Sequence, residues 1–126
     1  MSTCTLINET KEAIPTVAFQ AIKDAVLGKK YVLNVIITDA AHIKKLNTIY
    51  RNKTVPTDIL SFPLGKNEGD IYICPSETKK EARKFDRSYD NFFAFLFIHG
   101  CVHLKGYDHG AIMESIETEV RKKFKI

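Results

Sequence analysis

A chain of 126 residues has the length of one domain and can bury its own core, and its 44% hydrophobic and 27% charged content excludes a disordered or low-complexity protein. The formal net charge of +4 is mildly basic, compatible with nucleic acid but short of a tail-driven, histone-like binder. The longest apolar run, Phe92 to Ile98, has seven residues, against the roughly 20 that a spanning helix needs.

Thr3 to Asn8 reads as a short first strand. Ile14, Val17, Ala18, Ala21, Ile22, Ala25 and Val26 then recur at amphipathic-helix spacing, with Pro15 in the first turn and Gly28 at the end. Tyr31 to Thr38 is β-branched and nearly continuous in apolar character, which predicts a central strand covered on both faces. Asp39 is placed to cap a second helix through about Tyr50, with Ile43, Leu46, Ile49 and Tyr50 as its buried stripe and His42, Lys44 and Lys45 outside. Arg51 follows at the helix end, ahead of the loop NKTVPT.

Asp58 to Pro63 predicts a third strand, which Pro63 either ends or confines to a sheet edge, where an extended ligand can pair. Leu64 to Gly69 supplies turn residues and Asp70 to Cys74 a returning strand, so the two form a hairpin. Pro75 and Ser76 open a third helix to about Phe85. Its stripe of Lys79, Lys80, Arg83, Lys84 and Arg87 is either a solvated face with Glu77 and Glu81 as partial partners or a phosphate contact. Tyr89 to Leu104 is a buried helix, and Ala111 to Lys125 a last one, with Ile112, Ile116, Val120 and Phe124 four apart and the cations of RKKFK at its carbonyl end.

The chemistry concentrates in IHGCVHLKGYDHG, Ile98 to Gly110, which holds three of the four histidines. His99 and His103, four apart on a helix, share one face about 6 Å apart. Gly106 can take the left-handed conformation that ends a helix, bringing His109 back as a third ligand. Three imidazoles and an open fourth position are the donor set of a catalytic zinc. Cys101, about 200° around the helix from each helical histidine, belongs to the core. Asp108 has three roles open to it: orienting a histidine, capping the next helix, or binding the metal. Gly100 stands where the HExxH peptidases carry their glutamate base, which removes that proton acceptor and leaves room beside the metal for a group such as a phosphodiester. Cys4, Cys74 and Cys101 form no CxxC pair and read as reduced thiols. MSTCTLINET lacks a signal-peptide pattern, and the expected location is the cytoplasm, with no membrane association.

Three blocks, LNTIYRNKTVPTDILSFP at Leu46 to Pro63, GDIYIC at Gly69 to Cys74 and HGCVHLKGYDH at His99 to His109, resemble the YbeY family of bacterial rRNA maturation factors, single-domain zinc endoribonucleases. The resemblance implies a zincin-like α+β fold over residues 1–126, with a mixed four-stranded sheet and about five helices. It implies that His99, His103 and His109 hold one zinc per chain, and that Arg51 lies in the same cleft, so that Arg51 and His99 are the expected catalytic residues. The implied substrate is RNA, with roles in maturing the 16S rRNA 3′ end, in rRNA processing and in ribosome quality control. An arginine fork suits phosphate oxygens, and Lys44 and Lys53, with the third-helix stripe, are expected to steer RNA inward. The competing readings are a metzincin-type peptidase, which uses the same ligand pattern, and a non-catalytic RNA-binding ribosome assembly factor with structural zinc.

Overall fold

The computed structural model describes residues 2–126. β1 (Cys4–Asn8) leads through α1 (Phe19–Leu27) to β2 (Val32–Ile37), and α2 (Ala40–Arg51) leads to β3 (Ile59–Gly65) and β4 (Glu68–Ile73). Three helices follow: α3 (Pro75–Lys84), α4 (Tyr89–Leu104) and α5 (Ala111–Phe124). The sheet order is β1-β2-β4-β3, with β1, β2 and β4 parallel and β3 antiparallel to β4 at the edge. This is the expected α+β architecture with a mixed four-stranded sheet and five helices.

Alternation along the strands divides the core between the two faces of the sheet. Leu33, Val35 and Ile37 of β2 and Ile71 and Ile73 of β4 point to one side, where they pack with Ile22 and Val26 of α1, Phe93, Phe97 and Ile98 of α4, and Met113 of α5. The intervening side chains Leu60, Phe62 and Tyr72 point the other way, against Ile43 and Leu46 of α2. α3 docks through Ala82 onto Phe92 and Leu96 of α4. The double cover expected for β2 holds only in its C-terminal half, because Val32 is exposed and Asn34 half-buried.

Several boundaries differ from the sequence expectation. α1 begins at Phe19, not near Ile14: Pro15 disfavours the helical region at Ile14, and the backbone from Thr16 to Ala18 is irregular. Ile14 and Val17 still reach the core, but from an irregular segment. On α2 the buried residues are Ile43 and Asn47, whereas Ile49 and Tyr50 are 61% and 64% exposed. Pro63 lies within β3, tolerated there because the edge strand needs no further donor, and the hairpin closes at Lys66 and Asn67, tighter than the predicted loop. On α5 Ile116, Val120 and Phe124 pack against the core as expected, but Ile112 is 71% exposed, and Met113 and Glu117 are the buried residues. No helix among the described residues is long and apolar enough to cross a membrane.

Candidate metal centre and its cleft

α4 is apolar on nearly every side, with nine of its sixteen residues buried, so it runs through the middle of the molecule. Ser88 caps its start by accepting from the Asn91 amide at 3.2 Å. Two turns at its far end carry His99 and His103, both only half-buried. The helix stops where Gly106, at φ +111°, donates its amide to the His103 carbonyl at 2.9 Å and reverses the chain. His109 returns over the helix as the spacing predicts. Its ring centroid lies 5.3 Å from that of His99 and 4.8 Å from that of His103, and the latter two are 4.8 Å apart.

The donor set passes a test that spacing alone does not supply. His99 Nδ1 donates to the Glu117 carboxylate at 2.8 Å, and His103 Nδ1 donates to the Tyr107 carbonyl at 3.0 Å. Both partners can only accept, so both imidazoles carry their proton on Nδ1 and present the Nε2 lone pair. The ligand atoms offered by the three histidines lie within 4.8 Å of one another. Burial, and then the neighbouring His99 and His109, hold the His103 imidazole below the ordinary histidine range, which favours its neutral, ligating form. The residues present fit a metal ion of zinc type, held by three nitrogens and oriented from behind.

Glu117 is the residue that sequence reading missed. It is 7% exposed, on α5, and its sole signal was an acid four residues after Met113 beside the apolar stripe. Asp108 does not take that role: it is exposed, makes no hydrogen bond to a histidine among the described residues, and leaves Gly110 as the α5 cap position. Gly100 also has a different reason from the one expected. It faces the sheet rather than the metal, and a Cβ there would lie 2.9 Å from Ile59 Cδ1, 3.0 Å from Ile71 Cδ1 and 3.1 Å from Ser61 Oγ. Glycine therefore lets α4 press against β3 and β4, and a glutamate at this position has no room. Cys101 is fully buried, as expected, and burial pushes its thiol well above the usual range.

The three histidines line one wall of a cleft of about 540 Å³, and the edge strand from Ile59 to Pro63 lines another. Tyr50 and Arg51 from the end of α2 complete the rim. Asn52, in the left-handed region at φ 54°, ends α2, and Asn47 holds the following loop by donating from Nδ2 to the Val55 carbonyl at 2.9 Å. Arg51 is thereby placed in the histidine cleft, exposed and without an ion-pair partner among the described residues. Lys44 and Lys53 are exposed and lie outside the residues lining the cleft. On α3 three lysines are paired at the surface: Lys79 with Glu12 at 3.2 Å, Lys80 with Glu77 at 3.0 Å and Lys84 with Glu81 at 2.9 Å. Asp58, which nothing in the sequence singled out, lines the cleft as well, and burial followed by the nearby Glu81 raises its carboxyl above the ordinary aspartate value.

The family model for endoribonuclease YbeY matches residues 3–125. The chain is 37% identical over 123 residues to the endoribonuclease YbeY of Petrotoga mobilis, an alignment covering 95% of this chain and 81% of that protein. It is 42% identical over 101 residues to the endoribonuclease YbeY of Nautilia profundicola, covering 75% and 73%. Among solved structures it resembles the solution structure of TM1509 from Thermotoga maritima, with a TM-score of 0.66 and 27% identity over 97% of this chain and 91% of the other.

Proposed function

This chain belongs to the endoribonuclease YbeY family, and from that premise we propose that it is a cytoplasmic, zinc-dependent endoribonuclease that cuts single-stranded RNA as one domain. Its substrate is ribosomal RNA, with the 3′ end of 16S rRNA and ribosome quality control as the setting. The observation that carries this reading is the convergence of His99, His103 and His109 in one cleft with Arg51.

His99, His103 and His109 would hold one zinc ion. When bound, zinc supplies Lewis-acid polarisation of a phosphoryl oxygen and lowers the pKa of coordinated water to near 7. The residues around it supply the rest. Glu117 and the Tyr107 carbonyl fix the tautomers of His99 and His103 and keep both rings turned toward one point. The Arg51 fork is suited to grip two oxygens of the diester and to stabilise the extra negative charge that develops as the bond breaks. The β3 edge offers an extended wall to a single strand, and Tyr50 and Phe62, with ring centroids 5.0 Å apart, place aromatic surface along it. Lys44 and Lys53 would act at longer range, drawing the strand in by charge rather than by contact.

Two alternatives separate cleanly. A metzincin-type peptidase needs a base after its first histidine, and here that position is Gly100, packed against Ile59 and Ile71. A non-catalytic assembly factor would bind RNA and zinc without cutting. The deciding assay offers single-stranded RNA and casein to the purified protein, with 2′-deoxy substitution at the cut position. Metal-dependent RNA cleavage that vanishes in His99→Ala is the expected result. Casein digestion would favour the peptidase, and intact RNA with bound zinc the assembly factor. Loss of cleavage on 2′-deoxy substitution assigns the attack to the ribose hydroxyl, and its persistence assigns it to water.

A further inference from the structure

A second cavity of about 330 Å³ opens on the other side of His99 and His109, and the cleft described above does not include it. Its walls include Phe85, Phe95 and Arg121. Phe95 lies one helical turn before His99, so the two share a face of α4. Phe85 ends α3, and Asp86, in the left-handed region at φ 53°, turns the chain back so that Phe85 stacks on α4. The rings of Phe85 and Phe92 are 5.3 Å apart at 19°, and those of Phe92 and Phe95 are 5.5 Å apart at 15°. Phe85 also lies 6.3 Å from Phe95 at 34°, so the three rings form one triangular aromatic cluster, of which Phe85 is 56% exposed.

Two guanidinium groups stand against the Phe95 ring of this cluster. The Arg87 and Arg121 carbons lie 4.5 Å and 5.0 Å from the centre of the Phe95 ring. Arg87 donates to Asn91 and Arg121 to Thr118 at 3.1 Å, and neither has a carboxylate partner among the described residues. Glu117 lines the cavity but is occupied by His99, whereas Glu114 stands exposed on its rim. An exposed aromatic face beside unpaired arginines is how proteins hold an unpaired base and its phosphate. An isolated exposed phenylalanine has no such meaning. Here Phe85, Phe95, Arg121 and two of the three histidines line one cavity, and Arg87 adds a second guanidinium over the Phe95 ring.

We propose that Phe85, backed by Phe92 and Phe95 and flanked by Arg87 and Arg121, is a base-stacking subsite for the nucleotide next to the scissile phosphate, on the side opposite Arg51. The inference rests on the endoribonuclease reading and deepens it. A strand crossing the histidines has one neighbour against Tyr50 and Phe62 and the other against Phe85. Both neighbours must be unstacked to fit, which is a physical reason for preferring single strands. Glu114 leaves the phosphate to the arginine side and can accept from a base amino group or ribose hydroxyl.

The test measures kcat/KM on a single-stranded oligoribonucleotide in which each nucleotide in turn is replaced by an abasic ribose, for wild type, Phe85→Ala, Phe85→Leu and Phe85→Trp. Stacking of one base is expected to contribute about 5- to 100-fold. One position beside the cut should therefore lose that factor in wild type. Phe85→Ala and Phe85→Leu should lose it on the intact strand and nothing more when that base is missing. Phe85→Trp should restore cleavage. The leucine variant keeps the packing on Phe92, so a leucine variant as active as wild type would reduce Phe85 to a packing residue and overturn the subsite. Abasic sensitivity that ignores residue 85 would overturn it too, with the nuclease reading intact. Absence of any RNA cleavage by wild type would remove both.

Discussion

At the scale of single residues, the proposed function divides labour between groups that would hold the metal and groups that would act on the diester. Arg51 belongs to the second kind. Arg51→Ala is expected to keep its zinc and to lose one to three orders of magnitude in turnover, the loss of one transition-state contact of about 2–4 kcal/mol. Metal analysis beside single-turnover kinetics checks this, and loss of zinc in that variant would contradict the role. Glu117 belongs to the first kind, because its contact is with His99 Nδ1. Glu117→Gln retains an acceptor but not its charge, and is expected to weaken zinc binding by about 10- to 100-fold in a chelator competition. Unchanged affinity would show that the carboxylate does no more than fill space. The histidines were legible in the sequence because a helix repeats at 3.6 residues and Gly106 allows the return. Glu117 was not, because its partner lies eighteen positions away on another helix and no local period links an α5 side chain to an α4 ring.

At the scale of elements, the placement of α4 against the sheet decides what the site can become. A glycine inside a helix costs about 1 kcal/mol relative to alanine, yet Gly100 sits there because Ile59, Ile71 and Ser61 leave no room for a larger residue. Gly100→Glu would complete the peptidase motif on paper. It is expected instead to overpack this contact and bury an unpaired carboxylate, destabilising the fold by at least about 3 kcal/mol. Thermal melting tests this, with a fall in Tm of about 10 °C or more expected. A stable Gly100→Glu protein that digests casein would reverse the argument. Long apolar elements such as α4, and β-branched ones such as β2, were readable from sequence. The start of α1 was not, because Ile14 and Val17 keep a helical spacing and reach the core although the helix begins only at Phe19. On α5 the stripe of Ile116, Val120 and Phe124 was readable, but not the first turn, which buries Met113 rather than Ile112.

At the scale of the whole molecule, the cleft carries costs that stability measurements can detect. Burial raises the Asp58 carboxyl above its ordinary value of 3.8, so the folded state binds that proton more tightly than the unfolded chain does. Its contribution to stability is therefore complete below the unfolded value and is lost as pH rises through the folded one. Asp58→Asn is expected to be more stable than wild type at about pH 7, with the difference closing as pH falls below about 4. Urea midpoints across that range check it, and a difference independent of pH would contradict it. Zinc held by the three histidines would act globally as well, because it would tie α4 to the loop before α5. An excess of free zinc at about 100 times its dissociation constant should add about 2.7 kcal/mol to unfolding, lost on chelation. The central claim is that three imidazoles hold one catalytic ion, and its most direct measurement is zinc content and RNA cleavage determined together on wild type and His103→Ala. One zinc per chain with cleavage in wild type, and neither in the variant, is the predicted result. A His103→Ala protein that keeps its full zinc, or a zinc-free wild type that cleaves RNA at the same rate, would contradict it.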